Sequence, residues 1–325
     1  MTKSILIYKY GGPEQMRWEN VNIQSPGPRD VLIHQTAVGL NFIDIYYRNG
    51  TYSLPSLPSS LGFEGAGIVE VIGSEVNEVK VGDRVAYANG PIGSYSERRI
   101  IPSRNLVVLP DSLSDTKAAS MMLKGLTSQY LLRKIYNVQS GDIILFHALA
   151  GGVGLIACQW AKHLGAIVIG TVKGYYKAML VKSYGADYVI DYTIENFVTR
   201  VKEITCGKGV RVVYDSVGKD TFEGSLKCLQ PRGLMVSFGQ SSGIIPAFNV
   251  GTLATNGSLY LTRPTLETYI NNRSELLTNV NELFDIVINK IVKIEINQTY
   301  KLSEVAQAHY ELENRKTTGS TVLIV

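Results

Sequence analysis

The stretch Ala148-Leu149-Ala150-Gly151-Gly152-Val153-Gly154 directly follows the apolar run Ile143–Phe146 and opens an amphipathic segment, Val153–His163. A buried strand turning sharply into a helix accounts for all three parts. The spacing is an Ala-x-x-Gly-x-x-Gly variant of the dinucleotide fingerprint. Gly151 and Gly152 let the backbone approach a pyrophosphate with no Cβ in the way, and Gly154 lets the helix lie close to the strand. The helix N-terminus adds unpaired N–H groups for phosphate oxygens. A tight turn without a ligand is the alternative, and the strand-turn-helix setting weighs against it. The run Ile143–Ala161 carries no charge and would pass a hydropathy window as a membrane span. The glycines in its middle favour the buried strand and helix instead.

Downstream the alternation continues to Leu261, with strand cores at Ile167–Gly170, Tyr188–Ile190, Val210–Tyr214, Leu234–Phe238 and Ser258–Leu261. Intervening stretches such as Tyr175–Tyr184 have the length of crossover helices, so a parallel sheet is expected. Upstream, Ser4–Leu109 shows short β-rich runs separated by turn signals such as Gly11-Gly12-Pro13 and Ser25-Pro26-Gly27-Pro28, the pattern of an antiparallel barrel. Asp115–Tyr136 reads as a helix. The last segment adds a long helix over Glu267–Asn289, a strand at Val292–Ile296, a helix at Glu304–Asn314 and a closing strand Thr321–Val325. The fold class is α/β: a doubly wound parallel sheet plus a β-barrel domain.

A chain of 325 residues with 45% hydrophobic and 18% charged side chains buries real cores and is about twice the commonest domain size, so two domains are expected, with one large barrel as the alternative. The formal charge of +4 is spread without a basic run, which argues against a dedicated nucleic-acid binder. Cys158, Cys206 and Cys228 are odd in number and lack zinc-ligand spacing, so reduced thiols in the cytoplasm are expected. The apolar patch Ile5–Tyr8 is far shorter than a signal-peptide core and no small-residue cleavage site follows it, so export is not expected.

Cofactor choice is set about 20 residues beyond the glycines, where an acidic side chain would hold the ribose hydroxyls of NAD. Here the chain reads Lys173-Gly174-Tyr175-Tyr176-Lys177. No carboxylate stands there, and the two lysines suit the 2′-phosphate of NADP(H). Solvated lysines at a helix start are the plain alternative.

The segments Ala37–Asp44 and Leu61–Val69, with Val81-Gly82-Asp83-Arg84-Val85 and Asp215-Ser216-Val217-Gly218, resemble the medium-chain dehydrogenase/reductase superfamily. Zinc alcohol dehydrogenases of that superfamily carry Cys-His in the first motif and Gly-His-Glu in the second. This chain has Asn41-Phe42 and Gly62-Phe63-Glu64, and neither phenylalanine can ligate a metal. Together with Leu123–Thr127, Phe146–Ala148 and Ser237–Gly239, the whole chain resembles the zinc-free quinone oxidoreductase branch, the zeta-crystallin-like family, and most of all its bacterial NADPH-dependent members.

That resemblance implies a GroES-like catalytic domain over 1–124, a Rossmann-like NADP-binding domain over 125–261 and a return to the catalytic domain over 262–325. It also implies a cytoplasmic homodimer and a quinone substrate. By position, Asn41, Phe42, Ile43, Asp44 and Tyr46 border the nicotinamide, and Tyr52 closes the substrate side. Thr127 and Tyr130 approach from the connecting helix. Gly151, Gly152 and Val153 meet the pyrophosphate. The turn Lys173, Gly174, Tyr175, Tyr176 and Lys177, with Tyr192, takes the adenosine phosphate end, and Ser216 lies below the adenine. Phe238, Gly239, Gln240 and Ser241, then Arg263, Pro264 and Thr265, and finally Arg315, complete the clamp. Asn41, Asp44, Tyr46 and Tyr52 form the expected catalytic set.

From the residues alone, Asp44 has two readings, a helix cap and an active-site acid. His147 reads as a satisfied core histidine, and Glu64 as the partner of a nearby base. The expected reaction is hydride transfer from NADPH to a quinone, with reduction of an activated C=C bond in an alkenal or enone as the same-class alternative. A non-enzymatic RNA-binding protein of this fold is the different-class alternative, and the chain lacks the basic aromatic platform it would need.

Overall fold

The computed structural model describes residues 1–325. The chain divides into two compact units, one of residues Met1–Leu126, Ile270–Ile288 and Ile294–Val325, the other of Thr127–Tyr269 with Asn289–Lys293.

In the first unit a small antiparallel pair, β1 (Thr2–Leu6) and β2 (Arg17–Val21), precedes β3 (Asp30–Leu40), α1 (Phe42–Arg48), β4 (Glu64–Ile72), β5 (Arg84–Ala88), β6 (Arg98–Pro102) and β7 (Val107–Val108). The helix α2 (Asp115–Tyr130) follows. After the second unit the chain returns with α9 (Arg273–Ile288), β14 (Ile296–Lys301), α10 (Val305–Glu313) and β15 (Ser320–Ile324). A seven-stranded sheet runs β14-β15-β3-β4-β5-β7, with β6 also paired to β3. The 11 residues of β3 serve three neighbours. Their apolar side chains feed two cores, one around Val31, Ile33 and Ile101 and one around Val38, Leu40 and Leu323.

In the second unit β8 (Ile143–Phe146), α3 (Gly152–His163), β9 (Ile167–Val172), α4 (Tyr175–Ser183), β10 (Tyr188–Asp191), α5 (Phe197–Ile204), β11 (Val210–Asp215), α6 (Phe222–Cys228), β12 (Leu229–Ser237), α7 (Gly251–Thr255), β13 (Tyr260–Thr262) and α8 (Leu266–Tyr269) succeed one another. All strand pairs are parallel, in the order β10-β9-β8-β11-β12-β13. The reversal between β8 and β11 is a topological switch point, where open α/β sheets bind ligands. Such strands are covered on both faces and therefore read as continuous apolar runs, as Ile143–Phe146 and Val210–Tyr214 do.

Several elements differ from the sequence-based expectation. The helix read to Tyr136 leaves α-geometry after Tyr130 and widens to a π turn over Leu131–Ile135, where the Tyr214 hydroxyl takes the Leu131 carbonyl at 3.1 Å. The single helix over Glu267–Asn289 is two, α8 and α9. Asn272 interrupts them, its side chain accepting the Glu275 N–H at 2.9 Å as a new N-terminal cap. The strand expected at Val292–Ile296 begins only at Ile296, because both backbone groups of Lys293 are engaged by the Gln159 side chain. The two strands that sequence reading passed over, β2 and β6, carry charged residues along short runs.

Candidate functional site

In the first unit the site grows from the junction of β3 and α1. Asn41 follows the last residue of the strand and caps the helix, and Asp44 answers by accepting the Asn41 N–H on Oδ2 at 2.9 Å. The same oxygen accepts the Tyr95 hydroxyl at 2.7 Å. Oδ1 has no partner, and the side chain is completely enclosed. Desolvation outweighs both hydrogen bonds and pushes the Asp44 carboxyl up to about 7. The cap reading of Asp44 is thus built into the backbone.

Glu64 opens β4 and is fully buried. Its Oε2 accepts Asn41 Nδ2 at 2.7 Å and Lys124 Nζ at 2.9 Å, while Oε1 accepts the Leu123 N–H at 2.8 Å. A Cβ on Gly39 would lie 2.2 Å from Glu64 Oε2 and from the Ala119 carbonyl, so the Gly39 before Asn41 is what lets this carboxylate approach. The base expected beside Glu64 is Lys124.

The aromatic side chains of α1 meet those of the following loop edge to face. Ring centroids are 5.3 Å apart for Phe42 and Tyr46, 5.1 Å for Tyr46 and Tyr52, and 5.5 Å for Tyr47 and Tyr52. Phe63 joins through Tyr47 at 5.0 Å. The Tyr52 N–H binds the Tyr46 carbonyl at 2.9 Å, which fixes the loop onto the helix. Phe42, Ile43 and Tyr52 remain partly exposed and Tyr46 is nearly buried. Nowhere do three His, Cys, Asp or Glu side chains come together in a way that could hold a metal ion.

In the second unit the expected residues gather at the carboxyl ends of the parallel strands. The β8–α3 turn passes through Ala148 at φ +54°, and Gly151 starts α3 with no side chain capping it. A Cβ on Gly154 would stand 2.3 Å from the Leu149 carbonyl, so helix and turn touch only because this residue is glycine. The uncharged Ile143–Ala161 is therefore strand, turn and helix, and no helix of the chain is long and apolar enough to cross a membrane.

Gly174, at φ +84°, leads from β9 into α4, with Lys173, Tyr175 and Tyr176 exposed and Lys177 on the first turn. A carboxylate does border this turn, from the next strand rather than this one. Asp191 binds the Thr193 hydroxyl and N–H at 2.6 and 3.1 Å, and these bonds, with one from the Gly174 N–H, hold its carboxyl below the usual range. The Tyr192 N–H meets the Val172 carbonyl at 3.2 Å.

Ser216 lies beside the loop Phe238–Ser241: its carbonyl accepts the Ser241 N–H at 3.0 Å, and a Cβ on Gly239 would be 2.7 Å from that oxygen. Phe238 packs on Phe146, ring centroids 5.7 Å apart. Arg263 donates to the Ser237 carbonyl at 3.0 Å, Pro264 is buried, and Thr265 immediately precedes α8 with its hydroxyl 3.0 Å from that of Thr268. Tyr130 bonds to Thr127 and stacks flat on Tyr269, centroids 4.6 Å and planes 7° apart, and burial raises its phenol. Arg315 belongs to the first unit, exposed just after α10 at φ +58°.

His147 is the satisfied core histidine that its place at a strand end implied. Nδ1 lies 2.9 Å from Thr171 Oγ1 and Nε2 3.0 Å from Ser225 Oγ, and burial lowers its basicity. Sequence reading did not single out Tyr95, His309, Tyr269 or Asp191 at all. Only Lys124 had a visible signal, through its motif Leu123-Lys124-Gly125.

A barrel with an acid-capped aromatic helix and a parallel sheet with a glycine-rich turn define a dehydrogenase/reductase of the medium-chain type. The family pattern described as "Alcohol dehydrogenase GroES-like domain" matches residues 27–111, and that described as "Zinc-binding dehydrogenase" matches residues 152–284. The chain is 54% identical to a quinone oxidoreductase of Pseudomonas aeruginosa over 324 residues, covering 100% of each. It superposes on the crystal structure of the Escherichia coli quinone oxidoreductase complexed with NADPH with a TM-score of 0.98 at 50% identity, covering 99% of this chain and 100% of that one. A 2-haloacrylate reductase from a Burkholderia species is 43% identical over 330 residues, covering 100% of this chain and 99% of that protein. The chain belongs to the quinone oxidoreductase family of the medium-chain dehydrogenases/reductases.

Proposed function

We propose that this protein is an NADPH:quinone oxidoreductase that works without zinc. The observation that carries the reading is the aromatic face of α1. Where zinc relatives place ligands, this chain has Asn41, Phe42 and Phe63, and around them stand Tyr46, Tyr47 and Tyr52. Flat aromatic walls suit planar quinone rings, whereas oxidising a simple alcohol needs a Lewis acid for the alkoxide.

The second unit fits NADP(H). The α3 N-terminus lacks a side-chain cap, so its first amides remain free for pyrophosphate. Lys173 and Lys177 flank the β9–α4 turn, and Asp191, a carboxylate that borders that turn, is occupied by Thr193 and Gly174. When bound, the cofactor supplies hydride from its nicotinamide C4. The chain's own part is orientation. Glu64, neutralised by Lys124, fixes the Asn41 amide, and Tyr46 and Tyr52 hold the acceptor and offer phenols for its protonation.

Purified protein should oxidise NADPH fast with benzoquinone or naphthoquinone, more slowly with alkenals, and should not reduce NADP with simple alcohols, chelators leaving the rate unchanged. The second reading, reduction of activated C=C bonds, draws on the likeness to the 2-haloacrylate reductase, and alkenal turnover above quinone turnover would establish it in place of the first. The reduced thiols that the cysteine pattern implies, none of them in a disulfide, fit a reducing compartment such as the cytoplasm.

A further inference from the structure

The helix α1 carries Phe42 and Tyr46, and both of its ends are tied to one side chain from the far end of the chain. At its C-terminal end Arg48 is wholly buried, with Nε donating to the Gly11 carbonyl at 3.1 Å and Nη2 to Glu313 at 2.6 Å. Nη1 lies 3.0 Å from Nδ1 of His309, on α10. The other nitrogen of that ring, Nε2, lies 2.9 Å from the Tyr95 hydroxyl, and Tyr95 donates to Asp44 at the N-terminal end of α1.

The direction of every bond is fixed. A guanidinium only donates, so His309 Nδ1 accepts and the ring proton sits on Nε2. Tyr95 then accepts from Nε2–H and has one hydrogen left, which goes to Asp44. Burial, with Arg48 alongside, holds His309 well below its ordinary pKa, so the ring stays neutral and the pattern single. Tyr95 is itself immobilised. Its N–H binds the Leu61 carbonyl at 2.9 Å, and its ring fills the space a Cβ on Gly62 would need, 2.5 Å away.

We infer that His309 is a positioning residue for the acceptor-binding helix, holding α1 at both ends through the two nitrogens of one imidazole. The inference rests on the proposed function only for what the displaced helix would do to turnover.

Three variants of the full chain test it: Tyr95→Phe, which removes one oxygen, His309→Leu, and His309→Gln, which keeps one acceptor and one donor. Amide exchange resolved across residues 42–49, unfolding curves and quinone kinetics are compared. His309→Leu should speed exchange at both ends of α1, and Tyr95→Phe at the Asp44 end alone. Quinone kcat/KM should fall roughly 10-fold or more in His309→Leu, with His309→Gln recovering part of it. Exchange across 42–49 that rises no more than elsewhere in the chain, or quinone constants unchanged in both His309→Leu and Tyr95→Phe, overturns the inference. If His309→Leu does not fold, His309→Gln reports on both ends and Tyr95→Phe on the Asp44 end, and exchange unchanged in both overturns the inference. A parent enzyme silent with every quinone defeats the functional reading, and exchange still decides this one.

Discussion

Each unit buries a histidine with both ring nitrogens bonded and an aspartate at the end of the chain of bonds, yet the two carboxylates are treated oppositely. In the second unit Asp215 has four donors. The Val217 and Gly218 amides reach Oδ1 at 2.7 and 3.1 Å, and the Thr221 and Ser225 hydroxyls reach Oδ2 at 2.7 and 3.0 Å. Ser225 spends its hydrogen there and accepts from His147 Nε2–H, leaving Nδ1 to accept from Thr171. In the first unit Asp44 has two donors on one oxygen and none on the other. The difference lies in the backbone. A tight turn at the end of β11, with Gly218 at φ +90°, aims two amides at Asp215, whereas the start of a seven-residue helix gives Asp44 only one. One network is a saturated clamp on the ends of β8, β9 and β11, and the other keeps a carboxyl able to change its charge near neutrality.

The largest expected effect follows from the saturated side. Asp215→Ala strands two amides and two hydroxyls, of which the Gly218 amide and the Ser225 hydroxyl are buried and the other two part-buried, and urea unfolding should show a loss of about 5 kcal/mol. A loss below about 1 kcal/mol would break the contrast.

Asp44 should show its difference through pH. An unfolded aspartate releases its proton near pH 3.9, and the folded one near 7. Between those values the native state binds more protons, so the unfolding free energy falls as pH rises and levels off above about 7. The fall should total about 4 kcal/mol. Asp44→Asn keeps an acceptor for Tyr95 and Asn41 and should remove that share of the slope. Parent and variant curves that stay parallel from pH 4 to 7 would show that Asp44 ionises as an exposed carboxyl does.

Glu64 sharpens the same contrast, since its charge is matched by a cation rather than by amides alone. Lys124→Met leaves a buried carboxylate without its cation and should cost about 3 kcal/mol. Adding Glu64→Gln should return most of that loss in a double-mutant cycle, and two independent, additive losses would show the pair to be uncoupled.

The two units also differ in how much of them the sequence disclosed. Residues of the second unit's site sit at successive strand ends, so Gly151, Ser216 and Phe238 come together as soon as the alternation of strands and helices is recognised. In the first unit the decisive bonds join residues far apart in the chain. Tyr95 and His309 are 214 positions apart, and Arg48 and His309 261. No local pattern marks such pairs. His309 sits on an ordinary amphipathic helix, and Tyr95 is one of 19 tyrosines. The apolar strand that leads into His147 is a local signal, and the burial of His147 is legible in the sequence for that reason. The break between α8 and α9 was missed because Asn272 acts as a cap only once the chain has turned.

The smallest effect tests the cations beside the β9–α4 turn of the second unit, where binding rather than stability is at stake. Lys177 lies on the first turn of α4, where the helix dipole mildly disfavours a cation, so its presence there needs a reason other than helix stability. If that reason is the 2′-phosphate, Lys177→Ala removes one charge-assisted contact and should raise the KM for NADPH about 10-fold, the equivalent of about 1.4 kcal/mol. The KM for NADH, which lacks that phosphate, should hardly change, and melting should be unaffected because the side chain is only half-buried. The NADPH effect should also shrink as salt is raised, since an exposed ion pair is screened within about 10 Å at 0.1 M. Equal losses with both cofactors would move Lys177 from phosphate recognition to the shape of the β9–α4 turn, and would leave Lys173 as the residue to test for cofactor choice.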